Sequence, residues 1–512
     1  MKVPHWQLAL GAALFTGGVA VGIRLQLPGL SPAPGTGPAP STAAPAAGDA
    51  LFTVIPEGKR PSARPDIVLI SVDTLRADVL GAYGDTRGLT PFLDQLAAKG
   101  TVFERAYASS SWTVPTVATM VTGLYAHQHG VDRGAFQSSG VASQPPLPDE
   151  LITLPERLKG MGYRTLGVTT NAHLGGDLGY LQGFDSYVNA GFEDAAFIDA
   201  TVKDWAPMMA KGDQPVFLWL HYFDPHDPYT RREPYFSELE ARSLDAASLA
   251  APRQARLDRA LDLSKMLGKA LKDNIKDFED PAQRSILQNL YGAEVRYTDE
   301  WIRRTLTSLQ LAEDTLIVFT ADHGEEFMDH GGLGHRRSLH NELMQVPFIV
   351  VRAGDIPAGQ RVSAPVRTVD LLPTIVGVAG GDHKAQVGGT SGRNLAPLWR
   401  GESLSVEPAL STTMKGDLVQ ESLVVGAFKV IRRNQEPLVQ LFNVVEDRAE
   451  KVDLGPQQPE RVKEMLATMD KLLAEGRREG ATGAVEVTDP ETLKMLEAMG
   501  YVDADEDDGY GH

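Results

Sequence analysis

The sequence predicts an α/β protein with a large, mostly parallel central sheet, and three observations carry that prediction. Apolar runs of strand length recur along the chain, helical patterns separate them, and the end of each run releases Asp, Asn or His. Continuous apolar strands mark a parallel sheet buried on both faces, and the intervening helices cover those faces. Ligands of such sheets bind outside the carboxyl ends of the strands, so the polar residues released there are the first to examine for chemistry.

In chain order, residues 8–23 form an apolar run broken only by Thr16 and glycines, with Lys2 before it and Arg24 after it. Crossing a ~30 Å hydrocarbon core takes about 20 residues, and Gly18-Val19-Ala20 is a weak small-residue cleavage site. Residues 1–27 are therefore read as a signal anchor or a signal peptide. Residues 28–60 are a Pro/Ala-rich linker that buries too little apolar surface to fold, and they form a tether.

The first buried strand runs over 65–72 and has Asp73 at its carboxyl end. Helices are expected over 91–99 and 115–122, each with proline in the first turn, where its missing N–H costs nothing. A helix over 151–161 precedes a strand over 165–169, which releases Asn171 and His173; the strand 216–220 releases His221, Asp224 and His226. Residues 239–288, charged and interrupted by Pro252 and Pro281, are read as a helical insertion without chemistry. A helix over 292–309 leads to the strand 315–320, followed by Asp322 and His323, which makes 61–400 the catalytic domain. Strand-like runs at 421–430 and 439–444 and an amphipathic helix over 459–475 predict a small C-terminal α+β subdomain over 401–500, and 501–512 is an acidic tail.

Composition narrows the chemistry. A chain of 512 residues, 42% of them hydrophobic, can bury a large core without covalent staples. It has no cysteine, so disulfides, thiolate ligands and cysteine nucleophiles are excluded and every catalytic role falls to oxygen or nitrogen. The formal net charge of −18 argues against nucleic acid as a partner, because phosphate backbones are held by clustered Lys and Arg. A small anionic substrate would need a local positive site, such as a metal.

Thr113 stands just ahead of the helix started by Pro115, where free N–H groups and the helix dipole favour anions. Its competing reading is a plain N-cap. Asp73, Asp322 and His323 offer two carboxylates and an imidazole, a set that suits Zn²⁺ or Mn²⁺ better than Ca²⁺, which prefers oxygen alone. Such a metal could also take the Thr113 oxygen as a ligand, activating it as a nucleophile. His335, with Arg336 or Arg337, could hold anion oxygens and protonate a leaving group, and His226 is fixed between two prolines just past a strand. His221 could equally be a satisfied core histidine. Asp224, His226 and His335 could form a second ligand set of a two-metal site.

Six landmarks in one order carry a family resemblance: Asp66 to Asp73, Thr113-Val114-Pro115 up to Thr122-Gly123, Asn171-Ala172-His173, Pro225-His226-Asp227-Pro228, Asp322-His323-Gly324, and Gly334-His335 leading to Val346-Pro347. Over 66–382 the chain resembles the sulfatase branch of the alkaline phosphatase superfamily. The resemblance implies an alkaline-phosphatase-like sandwich, a metal at Asp73, Asp322 and His323 with the nucleophile Thr113, and substrate contacts from Asn171, His173, His226, His335 and Arg337. Familiar sulfatases oxidise Cys or Ser to formylglycine in a Cys-x-Pro-x-Arg setting, whereas this chain has Thr113 and, at the Arg position, Val117. Threonine cannot give that aldehyde because its β-carbon bears a methyl group, so no formylglycine is expected. Thr74 stands where a second aspartate is usual and Asn171 where lysine is common.

These departures look like the members that use a plain threonine or serine: phosphodiesterases, phosphonate monoester hydrolases, and phosphoethanolamine or phosphoglycerol transferases. The expectation is a metal-dependent hydrolase of a phosphate, phosphonate or sulfate ester, acting through a threonine alkoxide and a covalent intermediate. The alternatives are a phosphoethanolamine/phosphoglycerol-type transferase and a non-catalytic metal-containing binding protein. The implied partners are a small anionic ester, of lipid or glycan origin, and a membrane met through the N-terminal segment. The implied location is extracytoplasmic, periplasmic or at the cell surface, with the protein anchored if the segment is kept and secreted if it is cleaved.

Overall fold

The apolar runs form the spine of an eight-stranded sheet in the order Gln360–Val362, Thr101–Phe103, Phe348–Val351, Leu316–Ala321, Ile67–Val72, Val216–Tyr222, Arg164–Thr169, Ser186–Asn189. Ile67–Val72 lies in the middle, buried at every residue, with parallel neighbours on both sides. Only Phe348–Val351 runs against the rest. The architecture is therefore the expected alkaline-phosphatase-like α/β fold, with a separate small C-terminal sheet.

A computed structural model describes residues 64–132, 135–136, 142–209, 214–243, 280–381, 389–415, 417–434, 438–477 and 485–486, all within one compact unit, 43–512. The N-terminal segment 1–27, the linker 28–60, most of the insertion and the tail lie outside the described residues. Among those described, no helix is long and apolar enough to cross a membrane.

The register at the centre of the sheet positions the chemistry. Val72 pairs with Tyr222 on one side and Ala321 on the other, so Asp73 and Asp322 leave adjacent parallel strands at the same level. The Asp73 amide donates to the Tyr222 carbonyl at 2.9 Å, and the Asp322 amide to the Val72 carbonyl at 3.3 Å. The neighbouring strand runs to Tyr222 rather than ending at 220, so His221 lies within the sheet.

One boundary in the core differs from expectation for a local reason. The helix Pro281–Leu309 is continuous over 29 residues, with Pro281 in its first turn and the Asp280 side chain accepting from the Ala282 amide. Proline there starts a helix rather than interrupting one, so 281–288 belongs to the core helix and not to the insertion. That helix in turn anchors Pro91–Ala98, whose Phe92 and Leu93 amides donate to the buried Asp299 carboxylate at 3.1 and 2.8 Å.

The C-terminal sheet is an antiparallel meander of Ala409–Lys415, Leu418–Val425, Phe428–Arg433 and Leu438–Asn443, with Pro459–Ala474 packed across it through Met465 and Met469. The single run expected over 421–430 is two strands, because Gly426 takes φ +61 and reverses the chain there. The strand 409–415 was not foreseen, and it joins this sheet to the catalytic body. Its Thr412 amide donates to the Ser109 carbonyl at 2.9 Å and Ser411 Oγ to the Ala108 carbonyl at 2.7 Å.

A buried ion pair, Lys429 Nζ to Glu450 Oε1 at 2.8 Å with neither side chain exposed, reinforces that junction. Glu450 Oε2 also accepts from the Asn341 amide and from His340 Nδ1. Burial alone would raise the Glu450 pKa, but the Lys429 charge and the His340 hydrogen bond pull it down to about 2. Lys429→Met strands this carboxylate and is expected to lose about 3–5 kcal/mol in chemical denaturation at neutral pH. A carboxylate with a depressed pKa stabilises above its ordinary value of 4.5 and loses that contribution as pH falls toward 2, so the gap between wild type and variant should narrow in acid.

Candidate active site

The turn after the central strand is held in a costly conformation. Thr74 has φ +51, a left-handed backbone that a β-branched residue rarely adopts. Its amide donates to Asp322 Oδ1 at 3.2 Å, its carbonyl accepts from the Tyr291 hydroxyl at 2.8 Å, and Tyr291 in turn accepts from the Arg76 amide. This lock fixes Asp73 beside Asp322. The first carboxylate is fully buried and its pKa lies well above the ordinary value, through burial first and then the charges of Asp322 and Glu325, against the hydrogen bonds of Asn171 and Thr113. Burial likewise pushes Asp322 up to about 7.

His323 completes a group whose ligand atoms lie within 4.8 Å of one another. Its Nδ1 lies 2.9 Å from the Gly324 carbonyl, which can only accept, so Nδ1 carries the proton and Nε2 presents a lone pair. That lone pair is 3.6 Å from both Asp73 Oδ1 and Asp322 Oδ2. Burial lowers the His323 pKa to about 3, so the ring is neutral at physiological pH. Neither His323 Nε2 nor Asp322 Oδ2 has a hydrogen-bond partner among the described residues. Two buried acceptors without a donor, facing the Asp73 carboxylate, fit a divalent cation. By contrast, the groupings His330/His340/Glu450 and Glu326/His330/Glu342 are already hydrogen-bonded among themselves. Gly324 is required by space, since a Cβ there would run into the Glu342 carbonyl.

Thr113 is the first residue of the helix Thr113–Thr122, with Trp112 at the cap position. It is therefore not the N-cap. Its Oγ1 points to Asp73, 3.3 and 3.5 Å from the two carboxylate oxygens, and the residue is buried. The sequence-based group Asp73, Thr113, Asp322 and His323 thus comes together.

The remaining candidates divide. His226 and His335 converge, with ring centroids 4.9 Å apart and His335 4.8 Å from His323. His335 Nδ1 lies 3.0 Å from Glu325 Oε1, and the other oxygen of that buried carboxylate accepts from the Tyr229 hydroxyl. Burial depresses both histidines, further for His335, which also faces His323, His226, Arg336 and Lys415. His173 is buried nearby and lowered to about 3 by burial, Arg336 and His226. His221 sits behind the site, with Nδ1 2.8 Å from Ser71 Oγ and Nε2 3.9 Å from Asp73.

Asn171, expected to touch substrate, donates its amide nitrogen to Asp73 Oδ2 at 2.6 Å, and its oxygen accepts from the His173 amide. Asp224 does not join His226 and His335, because Arg232 and the Ala195 amide hold it; Asp227 is the carboxylate grouped with the two histidines. Of the two arginines after His335, Arg336 is buried with its Cζ 4.2 Å from the ring centroid of Trp112, and its amide donates to the Ser111 carbonyl at 3.0 Å. Glu325, Tyr229 and Lys415 had no role in the sequence reading; for Lys415 no local signal exists, since it comes from the other sheet.

Residues 65–381 match the Sulfatase family, and the chain belongs to it, within the alkaline phosphatase superfamily. It is a sulfatase-like ester hydrolase. The chain is 24% identical over 363 residues to the uncharacterized sulfatase YidJ of Escherichia coli (strain K12), covering 62% of this chain and 68% of that protein. It is 26% identical over 420 residues to the steryl-sulfatase of Homo sapiens, covering 67% and 70%. The phosphonate monoester hydrolase of Agrobacterium radiobacter shares the fold, with a TM-score of 0.64, 20% identity and coverage of 83% of this chain and all, 100%, of that one.

Asp322→Asn removes a charged ligand atom while keeping shape. It is expected to lower bound divalent metal to a small fraction of the wild-type ratio in elemental analysis, and unchanged metal content would remove Asp322 from the ligand set.

Proposed function

We propose that this enzyme cleaves a phosphate or phosphonate ester, with Thr113 as nucleophile and a divalent metal, Zn²⁺ or Mn²⁺, held by Asp73, Asp322, His323 and the Thr113 oxygen. One observation carries the reading: a buried threonine hydroxyl at a helix N-terminus lies within 3.5 Å of a carboxylate that belongs to an orphaned metal-type donor set. The metal supplies Lewis-acid charge at the attacked group and eases deprotonation of the hydroxyl.

Thr113 Oγ1 gives up its proton to water and attacks phosphorus in line, the bond to the leaving alcohol breaks as its oxygen takes a proton, and a phospho-threonine results; water then cleaves the phospho-threonine bond, returning the threonine and releasing the phosphate or phosphonate. His226 and His335 are neutral when buried without substrate. An anionic ester beside them favours imidazolium, so on binding one ring takes a proton from solvent, which it then gives to the leaving oxygen as the bond breaks. Asn171 keeps Asp73 in place throughout, and Val117 leaves the nucleophile without the arginine of a formylglycine site. The apolar run 8–23 and the 28–60 linker support an extracytoplasmic enzyme tethered to a membrane, with a lipid or glycan ester as substrate.

Matched nitrophenyl esters of sulfate, phosphate, phosphodiester and phosphonate test the reading with protein purified in Mn²⁺ or Zn²⁺. Turnover is expected on a phosphorus ester, and Thr113→Ala should reduce it by at least about 10³-fold. A variant as active as wild type would refute the nucleophile, and turnover of sulfate alone would refute the phosphorus preference.

A further inference from the structure

Two phenylalanines beside the site belong to neither hydrophobic core. Phe223 is buried and Phe192 half-buried, yet among the described residues neither is part of the large core of the catalytic body or of the small core around Met465 and Met469. Large aromatic side chains that serve no core and stand at a polar cleft are the usual lining of a ligand pocket.

Their rings extend the histidines of the site outward. Phe223 stacks on His226 with centroids 4.6 Å apart and planes 22° from parallel. Phe192 lies 4.9 Å from Phe223 and meets His173 edge-on at 6.4 Å. On the inner side the row continues from His226 to His335 and from His335 to His323, at 4.9 and 4.8 Å. Rings therefore follow one another from the candidate metal group outward, and Phe192 is the half-buried end of the row.

The turn that carries Phe192 is fixed on both sides. The Ala190 amide donates to the Thr169 carbonyl at 2.9 Å, and Asn189 Nδ2 donates to the carbonyl of Asn171, the residue bonded to Asp73, at 2.8 Å. After the turn, Asp194 accepts from the Tyr297 hydroxyl at 2.8 Å and the Ala195 amide donates to Asp224 at 2.7 Å. The Phe223 amide donates to Thr170 Oγ1 at 3.0 Å. Rings held in place before a ligand arrives cost little ordering entropy when it binds.

In the proposed reaction His226 and His335 stand at the leaving oxygen, so the carbon skeleton bonded to that oxygen extends past His226. The next surfaces in that direction are Phe223 and Phe192, which offer flat π faces and no hydrogen-bonding group. A ring gains offset or edge contacts there, whereas the hydroxyls of a polyol would lose water without finding partners.

We propose that Phe192 and Phe223 form the subsite for the alcohol portion of the ester and select an apolar ring there over a polyol, a reading that rests on the proposed reaction for which end of the ester faces these rings.

The test titrates the full-length, metal-loaded protein by calorimetry with benzylphosphonate, in which a methylene replaces the ester oxygen of phenyl phosphate, and with methylphosphonate, which carries the same anion without the ring. Wild type is expected to bind benzylphosphonate about tenfold more tightly. Phe192→Ala should cut that preference to less than about twofold, and Phe192→Leu, which keeps apolar volume without a flat face, to about threefold, while Phe192→Tyr retains it. Phe192→Ala should also raise KM for a phenyl ester about tenfold, the loss falling on KM rather than on kcat. A preference is a ratio within one variant, so a partly inactive preparation does not change it, and unchanged melting temperature and metal content exclude a folding defect. No preference in wild type, or full preference in Phe192→Ala or Phe192→Leu, overturns the assignment. Neither phosphonate has to be turned over: a protein inert on every ester whose benzyl preference depends on Phe192 would sink the proposed reaction and leave this subsite standing, whereas an active enzyme with the wild-type preference in Phe192→Ala would do the reverse.

Discussion

The structure depends on keeping two carboxylates side by side where no water reaches them. Asp73 and Asp322 leave neighbouring parallel strands at one level, both fully buried, and like charges in a low-dielectric interior repel strongly. The surroundings prevent them from separating. Thr74 accepts a left-handed backbone so that its amide can reach Asp322, Asn171 pins Asp73, and Gly324 leaves room for the chain to double back beneath Glu342. A divalent cation would relieve that repulsion, and the lone pair that His323 turns toward both carboxylates, 3.6 Å from each, marks the candidate site.

The same constraint explains why the second sheet cannot be an appendage. The strand 409–415 is bonded to Ala108 and Ser109 just ahead of Thr113, and to Arg336 just after His335. Lys429, Glu450 and the amide of Asn341 close a second, fully buried contact between the two parts. A shift of the small sheet would move Thr113 and His335 together. Packed interfaces transmit displacement because they have little free volume.

Charge is distributed accordingly. A chain with a formal net charge of −18 carries, at this one place, an arginine stacked on Trp112 and histidines kept neutral by burial. Neutral imidazoles suit both tasks asked of them, since a metal ligand needs a lone pair and a proton donor must be able to gain its proton when the anion arrives.

Much of the fold and the site was legible in the sequence because the relevant signals are local. Strand-length apolar runs, prolines in first turns, and Asp or His directly after a buried strand need only a few residues of context, and they were enough for the sheet, for Asp73, Thr113, Asp322 and His323, and for His226 and His335. Tertiary structure decided what depends on partners far away in the chain. Asp224 looks like a ligand until Arg232 takes it, and nothing near Asn171 in the chain shows that its amide is bound to Asp73. Arg336 is held by a +74° φ and the face of Trp112, which no spacing encodes. Periodicity determines which residues leave the sheet; only the packing of distant segments determines which way they then turn.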